Sequence, residues 1–157
     1  MKTPPIEIER KWLIEKLPEG LVLPPANVIR QSYLAIDPAG TVVRVRQKND
    51  KYFLTMKGAG LLSRHEAEME LQKADFEQFM TLSNGRDVEK NRYCLPFGEY
   101  TIELDIFSGK LSGLMLAEVE FKDIATAKQF SPPVWFGKEV TTFPEYTNAA
   151  MAVRGLP

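Results

Sequence analysis

The sequence predicts an α+β fold: a closed eight-stranded antiparallel β-barrel with a charged interior and a few helices packed outside. Three observations carry that expectation. About eight stretches alternate charged and apolar residues with the period of two that a strand imposes. The connections between them are mostly short, whereas a parallel sheet needs crossovers of roughly a dozen residues or more. The helical stretches interrupt the strand series instead of alternating with it, which is the mark of α+β rather than α/β.

Composition sets the outer bounds. At 157 residues the chain is expected to form a single domain over residues 1–157, with enough length to bury a core unaided. A hydrophobic content of 44% and a charged content of 26% are those of a soluble globular protein. The formal net charge of -1 argues against a general nucleic-acid or anionic-membrane surface. Cys94 is the one cysteine, so no internal disulfide forms, which favours a reducing compartment. No apolar run is long enough to span a membrane. The expectation is a cytoplasmic protein, monomer or homodimer, with no nucleic-acid or membrane partner.

The first strand is expected over residues 6–13, where Glu7, Glu9 and Lys11 fall on one face. Pro18, Gly20, Pro24 and Pro25 mark a loop, and residues 28–36 form the second strand. Asp37-Pro38-Ala39-Gly40 turns the chain into residues 41–47, which hairpin with residues 51–57 through Asn49-Asp50. Gly58-Ala59-Gly60 links to residues 64–71, the strictest alternation in the chain. A helix is expected to begin near Asp75, with Asp75 and Gln78 spaced as a capping box, and to end at Asn84-Gly85. Strands follow at residues 88–95, 99–107 and 114–121, with Pro96, Gly98, Gly109 and Gly113 between them. Two short helices fit residues 123–130, stopped by Pro132-Pro133, and residues 147–154, followed by Gly155.

Alternation gathers one charged face. Its acids are Glu7, Glu9, Glu66, Glu68, Glu103, Asp105, Glu118 and Glu120, and its bases Lys11, Arg44, Arg46, Lys57, Arg64, Lys90 and Arg92. On base rates such a face is the wet side of a half-buried sheet. Two features point inward instead. The opposite faces are apolar, as in Ile102, Leu104, Ile106 and in Met115, Ala117, Val119, Phe121. The charged pairs are also scarcely diluted by Ser, Thr, Gln or Asn. Inward charges cost several kcal/mol each when unpaired, so a ligand is expected to meet them. A polyphosphate arriving with Mg²⁺ or Mn²⁺ satisfies bases and carboxylates together.

These residues resemble the CYTH superfamily, the triphosphate tunnel metalloenzymes. Glu7-Ile8-Glu9-Arg10-Lys11 has the Glu-x-Glu-x-Lys form of its first strand. Arg44-Val45-Arg46, Lys57, Arg64 with Glu66 and Glu68, Lys90-Asn91-Arg92, Glu103-Leu104-Asp105 and Glu118-Val119-Glu120 follow in the family's order. The likeness runs over residues 6–121, with Glu139-Val140-Thr141 and Tyr146-x-Asn148 resembling the family's tail. It implies a barrel enclosing a tunnel in which a divalent metal assists hydrolysis or cyclisation of triphosphates. Among the family's activities, short members most resemble inorganic triphosphatases.

The roles that the resemblance implies are these. Glu7, Glu9, Glu118 and Glu120 hold Mg²⁺ or Mn²⁺. Lys11, Arg44, Arg46, Lys57, Arg64, Lys90 and Arg92 clamp a small-molecule triphosphate, with Arg64, Glu66 and Glu68 also candidates for wall pairs. Glu7, Glu9 and Lys11 take part in catalysis, and Glu103 and Asp105 orient the water or a second metal. The competing expectations are a nucleoside or thiamine triphosphatase, an adenylate cyclase, and a polyphosphate-binding module without turnover. His65 is out of phase with Arg64 and Glu66, a packed or surface histidine. Cys94 is expected as a small wall residue, and Trp12, Tyr33 and Trp135 as core. A Walker loop is absent from the sequence.

Overall fold

The computed structural model describes residues 2–157. Among these, eight strands close into an antiparallel barrel in the order β1-β5-β4-β3-β2-β6-β7-β8. The strands are β1 (Ile6–Leu13), β2 (Asn27–Ile36), β3 (Val42–Lys48), β4 (Lys51–Lys57), β5 (Ser63–Leu71), β6 (Asp87–Phe97), β7 (Tyr100–Ser108) and β8 (Met115–Glu120). Three helices accompany them: α1 (Lys73–Thr81), α2 (Ile124–Gln129) and α3 (Asn148–Arg154). Closure falls to β1, which pairs with β5 through Glu7↔Arg64 and with β8 through Glu9↔Glu120 and Lys11↔Glu118. The expected α+β barrel is the observed one.

Period-two alternation does build the walls. Leu104, Ala117 and Val119 are fully buried, but on the outer side of the barrel. There they pack with Ile8, Trp12, Ile102 and Phe121 beneath α2 and the strap that follows it, through Ala127, Phe130 and Phe136. Asp123 caps α2 by accepting a 2.6 Å bond from the Thr126 amide. Arg10 anchors the strap from the wall, donating to the carbonyls of Ala127 and Phe130 and pairing with Glu139 at 2.7 Å.

A second apolar cluster lies inside the barrel at one end. Tyr33 pairs with Arg44, Val42 with Lys57, Phe107 with Lys90 and Leu116 with Asp105, so the register turns all four toward the lumen. Met151 and Ala152 of α3 pack onto them. The last helix is therefore a plug at the barrel end, while α2 covers the outer wall and α1 leans on β3 and β4. Thr147 caps α3 by accepting from the Ala150 amide at 3.2 Å. Gly155, at φ 84°, ends it.

Three local differences from expectation have physical reasons. Helix α1 begins at Lys73 behind Gln72, with no side-chain cap at its start, because β5 runs on to Leu71 and leaves no room for a loop before Asp75. Pro96 lies within β6 opposite Thr101, leaving Gly98 to make the turn at φ 60°. In β2 a bulge between Tyr33 and Ala35 shifts the register, so the alternation in that strand is broken.

Because Met151 is fully buried at the centre of the plug, Met151→Ala is expected to cost about 2–5 kcal/mol. Val153→Ala, at a residue 57% exposed, should stay within about 0.5 kcal/mol. Urea unfolding midpoints check both.

Candidate active site

The lumen is a well of about 170 Å³. Its floor is the apolar plug, and its walls carry the charged positions of β1, β3, β4, β5, β6, β7 and β8. Every inward site residue expected from the sequence lines it or its immediate wall. Glu7, Glu9, Arg44, Arg46, Lys57, Arg64, Glu66, Glu68, Arg92, Glu103, Glu118 and Glu120 surround the cavity. Lys11, Lys90 and Asp105 lie just behind them, nearly or fully buried.

The charges are sorted. Arg92 grips Asp105 with two parallel 2.7 Å bonds, donates to Glu118 at 2.7 Å, and meets Glu103 with its remaining nitrogen. Lys90 bonds the same Asp105 oxygen at 2.5 Å, and Lys11 bonds the other oxygen of Glu118 at 2.9 Å. Lys57 bridges Glu7 at 2.6 Å and Glu66 at 2.8 Å. Burial pushes the Glu118 carboxyl up, but Lys11, Arg92 and Lys90 together hold it well below the usual range. Burial likewise raises Asp105, and Arg92 and Lys90 overcome it. Glu7 ends below its ordinary value because Lys57 outweighs its burial.

The remaining groups lack such company. Glu9 is raised by burial, then by Glu118 and Glu7; its nearest cation, Arg64, is 3.7 Å away. Glu120, cross-strand partner of Glu9, is raised by burial and by Glu7, Glu103 and Glu66. On the basic side, Arg44 is 3% exposed, and its Nε is buried without a hydrogen-bond partner. Arg46 falls to about 10 through burial and the neighbouring Arg44 and Arg92. Lys90 falls to about 8, since burial and Arg92 outweigh Asp105. The well therefore holds acids in need of a cation and guanidinium groups in need of an anion.

The carboxylates are hard oxygen donors of the kind that Mg²⁺, Mn²⁺ or Ca²⁺ prefers. Among the described residues no three His, Cys, Asp or Glu already converge as a ligand cage. Within the expected set of Glu7, Glu9, Glu118 and Glu120, two members are engaged by lysine and arginine. Glu9 has only Arg64, at 3.7 Å, and Glu120 has no ion-pair partner among the described residues; the two face each other across β1 and β8. The donor chemistry fits a divalent ion, which those two carboxylates would hold.

Several lumen groups escaped the sequence. Gln31, fully buried, accepts from Arg46 Nε at 3.1 Å and donates to the Tyr33 hydroxyl at 3.1 Å. Gln31 and Tyr33 share the lumen face of β2 opposite Arg46 and Arg44, but being uncharged they marked no ionic stripe; Tyr33 is core, as expected, yet its hydroxyl faces this network. Asn148 opens α3 and accepts from Lys90 at 3.3 Å. Thr55 donates to Glu68 at 2.8 Å. His65 is an exposed surface histidine, Nδ1 2.9 Å from the Pro4 carbonyl oxygen. Cys94 is half-buried on β6, its sulfur 3.8 Å from the Asn27 amide nitrogen.

Residues 5–139 match the model of the CYTH domain. The chain belongs to the CYTH family. Among curated CYTH relatives it is 44% identical over 149 residues to the inorganic triphosphatase of Nitrosomonas europaea, spanning 94% of this chain and 97% of that protein. It is 35% identical to the inorganic triphosphatase of Acetivibrio thermocellus, spanning 91% and 90%. The crystal structure of an inorganic triphosphatase superposes with a TM-score of 0.69 at 41% identity, covering 93% of each chain. Among the described residues no helix is long and apolar enough to cross a membrane.

The raised Glu9 carboxyl makes a stability prediction. A carboxyl whose folded value lies above its unfolded one opposes folding once ionised: stability is full below the ordinary value of 4.5 and is lost as pH rises through the folded value. Glu9→Gln removes that charge without changing the shape. Thermal melts in EDTA should show a higher Tm at pH 8, by about 2–4 °C per kcal/mol relieved, and the gain should shrink toward pH 4.5. A lower Tm at pH 8 would show Glu9 to be stably paired.

Proposed function

We propose that this CYTH protein hydrolyses the terminal phosphoanhydride of inorganic tripolyphosphate to pyrophosphate and phosphate, with Mg²⁺ or Mn²⁺, in the cytoplasm. The observation that carries the proposal is the partition of the well: Arg44 and Arg46 await an anion beside Glu9 and Glu120, which await a cation. A polyphosphate and a divalent ion entering together answer both. The naming of both curated relatives as inorganic triphosphatases supports the same substrate.

Phosphoryl transfer asks the protein mainly for positioning and charge neutralisation. Arg44 and Arg46 take phosphate oxygens directly, having no carboxylate to give up. Arg92, Lys57 and Lys11 are already paired, so they hold the well in shape and offer their remaining donors. Lys90 sits against Asn148 at the floor, where a bound phosphate restores the charge that burial disfavours. Asp105 acts through its neighbours: with Arg92 on both oxygens and Lys90 on one, it fixes the clamp instead of touching water. Glu103, at the rim of the Arg92 cluster and less enclosed, is the better candidate for orienting the attacking water. A divalent ion at Glu9 and Glu120 supplies neutralisation of the developing charge on the phosphate oxygens. The water oxygen bonds to the terminal phosphorus as the bridging P–O bond breaks and pyrophosphate leaves.

Phosphate release from tripolyphosphate, ATP and thiamine triphosphate, with Mg²⁺, Mn²⁺ or EDTA, is the decisive screen. Tripolyphosphate should be preferred and EDTA should stop turnover; cyclic AMP and pyrophosphate from ATP would make the protein a cyclase. Glu120→Gln should nearly abolish metal-dependent hydrolysis with the fold retained. Arg44→Ala should lower kcat on the order of 100-fold. Unchanged turnover in Glu120→Gln would remove the cation site.

A further inference from the structure

A blind well poses a problem for hydrolysis. A phosphate chain entering by the mouth leads with its free end toward the plug and closes the way behind itself. On one side the barrel wall is closed by a loop and the strap in place of a full strand pair. Strands β1 and β5 are paired only from Ile6↔His65 to Ile8↔Ser63. Beyond Ile8 the gap is spanned by the β4–β5 loop and the returning strap: the Glu9 amide donates to Leu62 at 3.0 Å and the Lys11 amide to Thr141 Oγ1 at 3.0 Å. Between loop and strap lies a cavity of about 20 Å³, bounded on the lumen side by Glu9, Lys11 and Arg64 and on the outer side by Leu61, Phe143 and Thr147.

That volume holds about one water and is far too small for a phosphate group. Polar partners for a water are present, in the Glu9 carboxylate, the Lys11 ammonium and the Tyr146 carbonyl that Lys11 already approaches at 3.4 Å. Gly60, Leu61, Arg64 and Thr147 also border a groove of about 650 Å³ on the outside. The narrow cavity is thus a neck between bulk solvent and the lower wall of the well. Gly60 shapes its outer lip at φ 136°, where an added Cβ would lie 2.1 Å from the Ser63 carbonyl oxygen.

We propose that this neck is a side door that admits the hydrolytic water to the inner end of the well while substrate fills the mouth, with Leu61 as its apolar jamb. The inference rests on the triphosphatase reading above. Water oxygen bonds to the terminal phosphorus, the bridging P–O bond breaks toward pyrophosphate, and the water proton passes to solvent. The neck separates neutral nucleophile from anionic substrate by size, so the clamp need not loosen during turnover.

Two variants at Leu61, whose apolar side chain lines the neck and is given no contact with phosphate, test the door. Leu61→Trp fills the neck and should lower kcat for tripolyphosphate about tenfold with KM unchanged. Leu61→Ala widens it. In aqueous methanol the widened door should raise the ratio of methyl phosphate to orthophosphate about tenfold over the parent, the discrimination that a missing methylene or two typically releases. An unchanged kcat in folded Leu61→Trp, or the parent's product ratio in Leu61→Ala, overturns the door while leaving the triphosphatase intact. If Leu61→Trp fails to fold, the methanol ratio decides alone. A parent protein that releases no phosphate from tripolyphosphate overturns the activity, and the door with it.

Discussion

The two parallel bonds between Arg92 and Asp105 are the interaction on which the rest of this molecule depends. Both side chains are buried in the middle of the barrel, where each unpaired ion costs several kcal/mol. Asp105 answers with Lys90 as well, and Arg92 answers with Glu118, which in turn takes Lys11. A network of that kind contributes little net stability, since desolvation offsets most of its Coulomb gain. It does set where every neighbour must stand. Removing Arg92 would leave two carboxylates in the dark with one lysine each.

A lumen filled with charge cannot serve as a hydrophobic core, and the fold puts its apolar burial elsewhere. One part lies on the outer wall, where Trp12, Leu104, Ala117 and Val119 are covered by α2 and the strap. The other is the plug, where Met151 meets Tyr33, Val42, Phe107 and Leu116. The two have different places: the outer layer covers the wall strands, and the plug closes one end of the barrel. Dry walls make the clamp's fields stronger than they would be in water. They also leave Arg44, Arg46 and Glu9 in surroundings that a bound ligand would relieve.

Much of this was legible in the sequence, and the limits of legibility are instructive. Alternation gathered the charged face, and the apolar opposite faces with the scarcely diluted charged pairs turned it inward, so Arg44, Arg46, Lys90, Arg92, Glu118 and Glu120 were placed in the lumen. Strand β2 did not announce its own. Its Gln31 and Tyr33 face the lumen opposite Arg46 and Arg44, while Ser32 is buried on the other face against Arg86 and Asp87, so the strand carries no charged stripe to separate lumen from wall. Which acids are free was likewise hidden. That depends on cross-strand register, and register follows from the shear of the closed barrel rather than from any one strand. The last helix was expected from its bounds, yet the outer wall and the open barrel end are both apolar targets, and only tertiary packing chooses between them.

The pairing of β1 with β8 carries a consequence for how the chain is made. During synthesis on the ribosome, β1 emerges early and must wait for β8 before its second edge is satisfied, a long-range contact of the kind that slows folding. A waiting strand is a template for aggregation unless charge guards it. Glu7, Glu9, Arg10 and Lys11 put ionic side chains along that strand throughout the delay. Glu7, Glu9 and Lys11 later line the well and Arg10 holds the strap, so charge lies on both faces of the strand until β8 arrives.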